Sequence, residues 1–299
     1  MQTLAEIKAL LDERGLSPKK ALGQNFLTDH NLIRKLTDAA RLSPADLVLE
    51  VGPGTGTLTE HLLEQGCTVV ACELDDKLAQ LNRERLGPRY PDTFTLVHAD
   101  CLASKRALNP ELLDALSSQS SVATSGGGGG GGGSGGGFKL VANLPYACAT
   151  PLLLALLTRH PECRAMHVTI QKEVADRLAA TPATPSAYGV ISVVAQALAT
   201  VSHIATLPRE CFWPRPDVTS AMISIVRDPD PIAGPDPAFW PIFADLVQNL
   251  FQTRRKQLSS TLKRLGTPLA SYPPGIEPTD RPEALHPDAF VALARALRR

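Results

Sequence analysis

No apolar run in this sequence approaches the roughly 20 residues that a membrane-spanning helix needs. The longest, PLLLALL at 151–157, is far too short. No charged stretch leads an apolar signal segment, and Glu6, Asp12 and Glu13 in the amphipathic opening are uncommon in transit peptides. A globular cytoplasmic protein is therefore expected, with the opening segment docked as a helix. The six cysteines form no CxxC pair and the seven histidines no HxxxH or HExxH spacing, so neither a disulfide framework nor a metal site is expected. Net charge is also missing, because 30 basic residues balance 30 acidic ones. The field of the whole molecule thus gives no argument for nucleic acid, and any such argument rests on local patches.

The 299 residues are 43% hydrophobic, enough for one large domain and a smaller one. Two helical patterns come first, at Leu4, Ile7, Leu10 and Leu11, then at Leu32, Ile33 and Leu36. Next come DLVLEVGPG, TVVACELD, FTLVHAD and KLVANLPY, apolar runs of strand length, with helix-compatible segments between the first three. That order predicts βαβ units around a parallel sheet buried on both faces. AMHVTIQ, SHIATLP and SAMISIVR bring the count to seven strands, and KEVADRLAA and AYGVISVVAQALA supply helices. Residues 118–137 hold a Ser- and Gly-rich tract, read as a disordered insertion because it lacks the apolar surface to offset ordering entropy. Residues 228–236 read as a linker, separating a catalytic domain over 1–227 from a small helical one over 237–299.

LEVGPGTGTL sets Gly52, Gly54 and Gly56 between a strand and a helix. Glycine there lets the backbone turn tightly and approach a ligand, and such loops serve dinucleotides and S-adenosylmethionine alike. No GK[ST] follows, which excludes a Walker-type loop. Glu73 closes the second strand, about twenty residues on, where an acid can accept both hydroxyls of a ribose. Asp100 closes the third, where it can accept from an adenine amine. Ligands bind beyond the carboxyl ends of parallel strands, so the fourth end is left for the reacting partner.

That end is Asn143, Leu144, Pro145 and Tyr146. An adenine amine is a poor nucleophile because its lone pair is delocalised into the ring. Acceptors on its two N–H bonds, the Asn143 side-chain oxygen and the Leu144 carbonyl, hold the lone pair toward an electrophile and stabilise the developing positive charge. Pro145 stiffens the second acceptor, and Tyr146 gives an unstacked base a new aromatic face. Phe212 in CFWPRPDV is a second aromatic candidate, although for Phe212 or Trp213 alone a core position is the more common reading.

Taken in order, KKALGQNFLTD, LEVGPGTGTLTEHL, ACELDDKL, NLPY with TPL, TIQKEVADRL, AYGVISVVAQ, FWPRPDVTSAMISI and FQTRRKQLSSTL give the chain its resemblance to the ribosomal RNA adenine dimethyltransferases that modify two adjacent adenosines near the end of small-subunit ribosomal RNA. The resemblance implies an α/β class I S-adenosylmethionine-dependent methyltransferase, a Rossmann-like seven-stranded sheet followed by a small helical domain. It implies that Asn25, Leu27, Gly52, Gly54, Glu73, Asp100 and Asn143 contact the cofactor and that Tyr146 and Phe212 sandwich the target base. The implied partner is the immature small ribosomal subunit, met by a monomer with no metal. Two rivals stay open: a ribosome-assembly binding factor with reduced catalysis, and the large-subunit RNA adenine methyltransferases that confer antibiotic resistance. NLPY with TPL and AYGVISVVAQ favour the small-subunit enzyme. Ala147, Cys148 and Ala149 depart from the Asn-Ile-Ser common in that family, and Asp217 stands where a Lys is common. Lys19 and Lys20, with Arg254, Arg255, Lys256, Lys263 and Arg264, are the candidates for phosphate contacts with RNA.

Overall fold

Seven strands form one sheet in the computed structural model, which describes residues 1–125 and 137–298. They are β1 (Leu47–Val51), β2 (Thr68–Glu73), β3 (Phe94–His98), β4 (Phe138–Asn143), β5 (Cys163–Gln171), β6 (Ala199–Leu207) and β7 (Ser220–Arg227). Their spatial order is β3-β2-β1-β4-β5-β7-β6. The expected count and the Rossmann-like class are both found. Strands β3, β2, β1, β4 and β5 run parallel where they pair. The order reverses between β1 and β4, which is where a doubly wound sheet opens a crevice for ligands.

Helices cover the faces because the strands are apolar on both. All five residues of β1 are buried, Glu50 among them. The N-terminal helix α1 (Leu4–Glu13) starts with a capping box between Thr3 and Glu6 and docks as expected, burying Ile7 and Leu11 against Phe26 and Leu78. Helix α2 (His30–Ala40) is capped by Asp29 and turns Ile33 and Leu36 into the core. Helices α3 (Thr57–Glu64) and α4 (Asp76–Leu86) follow β1 and β2. Helix α5 (Pro110–Ser125) buries Leu112 and Leu116, and Gln119 donates to the Thr95 hydroxyl on β3 at 3.0 Å. Residues 118–125, expected to belong to a disordered insertion, are therefore helix: the apolar stripe of α5 carries the Ser-rich stretch with it. The glycines at 126–136 lie outside the described residues. Helices α6 (Tyr146–Arg159) and α7 (Lys172–Ala179) follow β4 and β5.

By contacts the chain divides into two compact units. The first comprises Met1–Ala155, Glu162–Lys172 and His203–Ser224, and the second Leu156–Pro161, Glu173–Ser202 and Ile225–Arg299. Residues 228–236, read as a linker, fall inside the second unit, which also takes in 173–202. Helices α8 (Val190–Leu198), α9 (Phe239–Phe251) and α11 (Pro287–Leu297) build the core of that unit around the fully buried Tyr188, Phe243 and Phe290. The Tyr188 hydroxyl donates to the Leu285 carbonyl at 2.8 Å, and Phe251 stacks on Phe290. The basic stretch after α9 is not one helix, because the chain turns over 252–257 before α10 (Leu258–Arg264).

Candidate functional site

Register brings the strand ends level. Val51 pairs with Cys72 and Glu73 with His98, so the loops after β1, β2 and β3 emerge side by side. Between β1 and β4 the loops meet directly. Gly52 has a φ of 73°, and a Cβ placed on it would lie 2.8 Å from the Pro145 ring. Gly54, at a φ of 60°, is as close to the Phe26 ring. Any side chain at these two positions would fill the space that lets the glycine loop pack under the NLPY turn.

Polar groups hold the loop in place. The Gly54 N–H donates to Glu73 Oε2 at 3.1 Å, and the Asp75 N–H to Glu73 Oε1 at 2.9 Å. Glu73 is buried, and burial pushes its carboxyl upward while these backbone bonds oppose the rise. Each of its oxygens keeps a further lone pair for a hydroxyl. Asp75 also caps α4, accepting from Lys77 and Leu78, and is bonded by Lys19 Nζ at 2.7 Å and by the Gln24 amide. Burial works against ionisation of Asp75, but those partners hold its carboxyl below the usual range. Lys19 thus belongs to this lattice as well as to the surface, its side chain being 47% exposed. Lys20 is exposed.

The NLPY segment is equally fixed. Asn143 Nδ2 donates to the Asn25 carbonyl at 2.9 Å, which leaves the side-chain oxygen as the end able to accept from a substrate. The Leu144 N–H donates to the Thr169 carbonyl on β5. Tyr146 opens α6, and its hydroxyl bonds Ser220 Oγ at 2.7 Å, which pins the ring at the rim.

All these groups line one cleft of about 320 Å³: Asn25, Leu27, Gly52, Gly54, Glu73, Asp100 and residues 143–146. Asp100 lies two residues beyond the end of β3 and is exposed, with one oxygen accepting from the Leu102 N–H. Phe212 does not join them. It is 3% exposed and pairs with Leu27 in a two-stranded ribbon, packed in the core, because the ribbon turns that side chain inward. The base sandwich expected of Tyr146 and Phe212 is therefore not assembled here.

Glu50, Gln2, Cys72 and Cys101 were not singled out from the sequence as site residues. Glu50 lies fully buried on β1 at the cleft, its carboxyl pushed up by burial to about 8, and its Oε2 has no hydrogen-bond partner among the described residues. An acid inside the apolar run LVLEV was the visible signal. Gln2 donates to the Thr55 carbonyl and accepts from the Thr57 hydroxyl, stitching the start of the chain to the glycine loop. Cys72, Cys101 and Cys148 all reach the cleft wall.

Residues 15–294 match the family described as Ribosomal RNA adenine dimethylase. Ribosomal RNA small subunit methyltransferase A of Bifidobacterium adolescentis is 37% identical, covering 98% of this chain and 93% of that protein. The protein of the same name from Opitutus terrae is 38% identical, covering 96% and 95%. The chain belongs to the ribosomal RNA adenine dimethylase family. Among solved structures, a dimethyladenosine transferase from Plasmodium falciparum has a TM-score of 0.65 at 19% identity, covering 90% of this chain and 95% of that one. A 23S rRNA methyltransferase has a TM-score of 0.60 at 22% identity, covering 92% and 100%. Both share the fold.

As a ribosomal RNA adenine dimethylase, the protein takes its methyl groups from S-adenosylmethionine. The cleft suits that donor on its own terms: two glycines leave the backbone open to close approach, a buried acid at the wall keeps an oxygen without a partner among the described residues, and a second acid retains acceptor capacity for hydroxyls. No helix among the described residues is long and apolar enough to cross a membrane.

Proposed function

We propose that this dimethylase modifies two adjacent adenosines near the 3′ end of small-subunit ribosomal RNA, acting as a cytoplasmic monomer on the immature subunit. The observation that carries the reading is the convergence of four loop ends and the Asn25 segment on a single cleft, with Pro145 packed over Gly52. The names of the relatives support the choice of subunit.

In this reading Asn25, Leu27, Gly52, Gly54, Glu73 and Asp100 hold the cofactor, which supplies an electrophilic methyl group on a sulfonium. Asn143 Oδ1 and the Leu144 carbonyl accept from the target amine and aim its lone pair. Tyr146 offers its ring to the unstacked base. The proton leaves after transfer, and no side chain is assigned as a dedicated base. A second methylation needs room for the first methyl group rather than new chemistry.

Mass mapping of ribosomal RNA tests the assignment. Immature small subunits from cells lacking the gene, incubated with the protein and labelled S-adenosylmethionine, are expected to gain four methyl groups, two on each of two neighbouring adenosines. Label confined to large-subunit RNA would overturn the subunit, and binding to small subunits without transfer would favour an assembly factor.

A further inference from the structure

The third glycine of LEVGPGTGTL takes no part in the cleft wall, to which Gly52, Pro53, Gly54, Thr55 and Thr57 all contribute. Gly56 has a φ of 80°, and a Cβ placed on it would lie 2.2 Å from Asn82 Oδ1 and 2.7 Å from Arg85 Nη2. Its smallness admits two polar side chains of α4 to the back of the loop. Asn82 Nδ2 donates to the Gly54 carbonyl at 2.7 Å. Arg85 Nη2 donates to the Thr55 carbonyl at 3.0 Å and to the Gly56 carbonyl at 3.1 Å, while its Nη1 donates to Glu60 Oε2 at 3.1 Å. Three successive carbonyls of the loop thus end on one helix.

Positions 75, 78, 82 and 85 recur at helical spacing, so a single face of α4 addresses the loop. The Asp75 N–H donates to Glu73, Leu78 packs with Phe26, and Asn82 and Arg85 take the carbonyls. Packing alone would favour an apolar residue at 82, which is fully buried on a helix that also buries Leu78, Leu81 and Leu86. Asn82 instead donates to Gly54 and to the Leu78 carbonyl at 2.9 Å, and its Oδ1 has no partner among the described residues. A buried polar atom left unsatisfied is destabilising, so stability does not account for this amide. What its nitrogen holds does. With the Gly54 and Gly56 carbonyls turned to α4, the planar trans peptide points the N–H groups of Thr55 and Thr57, both in the cleft wall, the other way.

We propose that Asn82 and Arg85 are positioning residues for the cofactor, fixing the glycine loop from behind in its binding conformation before S-adenosylmethionine arrives. The inference rests on the assignment of that loop to the cofactor. Neither side chain lines the cleft, so each acts through the loop backbone. A loop held in advance spares the ligand the ordering that binding would otherwise impose. The acceptors assigned to the target amine are anchored elsewhere, Asn143 on the Asn25 carbonyl and Leu144 on the Thr169 carbonyl. The effect therefore falls on cofactor affinity and not on the transfer step.

The experiment compares full-length Asn82→Leu and Arg85→Lys with wild type and Gly52→Ala. Calorimetry reads S-adenosylmethionine binding, methyl transfer to small subunits over a cofactor series gives KM and kcat, and urea unfolding gives the midpoint. Leucine keeps much of the buried volume while removing the donor and the unpartnered oxygen. Lysine keeps the charge but cannot span two carbonyls and Glu60 as a guanidinium does. Each variant is expected to raise the dissociation constant and the cofactor KM by roughly three- to ten-fold, with kcat at saturating cofactor within about two-fold of wild type. The urea midpoint of Asn82→Leu should not fall. Calorimetry without urea reads folded protein, so a lowered midpoint alone does not mimic the loss of affinity. Wild-type affinity in both variants, with binding weakened in Gly52→Ala, overturns the positioning role and leaves the cofactor assignment standing. Wild-type affinity in all three overturns the cofactor assignment of the loop and the positioning role with it. A fall in kcat at unchanged KM also overturns the proposal. Should Asn82→Leu fail to fold, Arg85→Lys decides alone, at a side chain that is 21% exposed.

Discussion

Asn143 and its neighbours carry the sharpest expectations at the scale of single residues. With its amide nitrogen held by the Asn25 carbonyl, Asn143 presents its side-chain oxygen as an acceptor, and its removal takes away one bond to the Asn25 segment while leaving Gly52, Gly54 and Glu73 in place. Asn143→Ala is expected to lose most methyl transfer, by roughly 100-fold or more as for removal of one preorganised electrostatic partner, with S-adenosylmethionine affinity within a few-fold of wild type. Single-turnover transfer and calorimetry on the same preparation check this, and near-wild-type turnover on small subunits would remove the assigned role. Gly52→Ala acts differently. The left-handed backbone costs an L-residue about 1–2 kcal/mol, and the new methyl group meets the Pro145 ring at 2.8 Å. Both cofactor affinity and the urea midpoint should fall, whereas a drop in stability alone would separate this loop from binding. Glu50 sets a pH dependence. Its carboxyl sits near 8 in the fold against 4.5 for the free group, so the native state binds the extra proton between those values. The associated stability is complete below pH 4.5 and is lost as pH rises toward 8, at up to about 1.4 kcal/mol per pH unit. Urea unfolding of Glu50→Gln across that range should show a flatter fall than wild type. Parallel curves would mean that Glu50 is not held neutral.

At the scale of elements, the strands were legible because most are short apolar runs closed by Gly, Asp or Pro, and β1, β2, β4 and β5 are buried along nearly their whole length; β6, largely open to solvent, was read from the run SHIATLP and its closing Pro alone. The cofactor series was legible for the same reason: parallel strands deliver their carboxyl ends to one edge, so Gly52, Glu73 and Asn143 had to converge. Pairings between distant segments were not. The ribbon of Phe26–Leu27 with Phe212–Trp213 is two residues long on each side, too short for any periodicity, and it is what withdraws Phe212 into the core. The turn over 252–257 was equally hidden, since Arg254 is held there by the Pro185 carbonyl and by Glu283, contacts that local sequence does not encode. Lys19 shows how such a contact changes a function. Its ammonium sits on Asp75, the residue that caps α4 and braces Glu73. Lys19→Ala is therefore expected to weaken S-adenosylmethionine binding while leaving the salt dependence of RNA binding unchanged. A shallower salt slope with normal cofactor affinity would return Lys19 to the phosphate contacts.

The molecule as a whole has no net charge, yet its substrate is a polyanion, so binding has to come from an uneven surface. Within the second unit, Arg255, Lys256, Lys263 and Arg264 are exposed on the turn after α9 and on α10, and residues 251–265 contain no acid. Arg254 is the exception in that stretch, being turned toward Glu283. Cations left in solvent gain little from one another, and each that pairs with a phosphate releases counterions condensed on the RNA, which makes affinity fall with salt. For single-stranded RNA the logarithm of the binding constant falls by roughly 0.7 per contact for each unit of log salt. Replacing Lys263 and Arg264 together by alanine should flatten that line by roughly 1.4 if both meet phosphate, with weakening that is uniform across RNA sequences. Arg254→Ala should instead lower the unfolding midpoint and leave the slope near its wild-type value. Filter binding of a small-subunit RNA fragment over a salt series reads the slopes, and urea unfolding reads the midpoint. Equal slopes for wild type and the Lys263, Arg264 double variant would assign this exposed face to solvation alone and leave Lys20 and the remaining cations to account for RNA affinity.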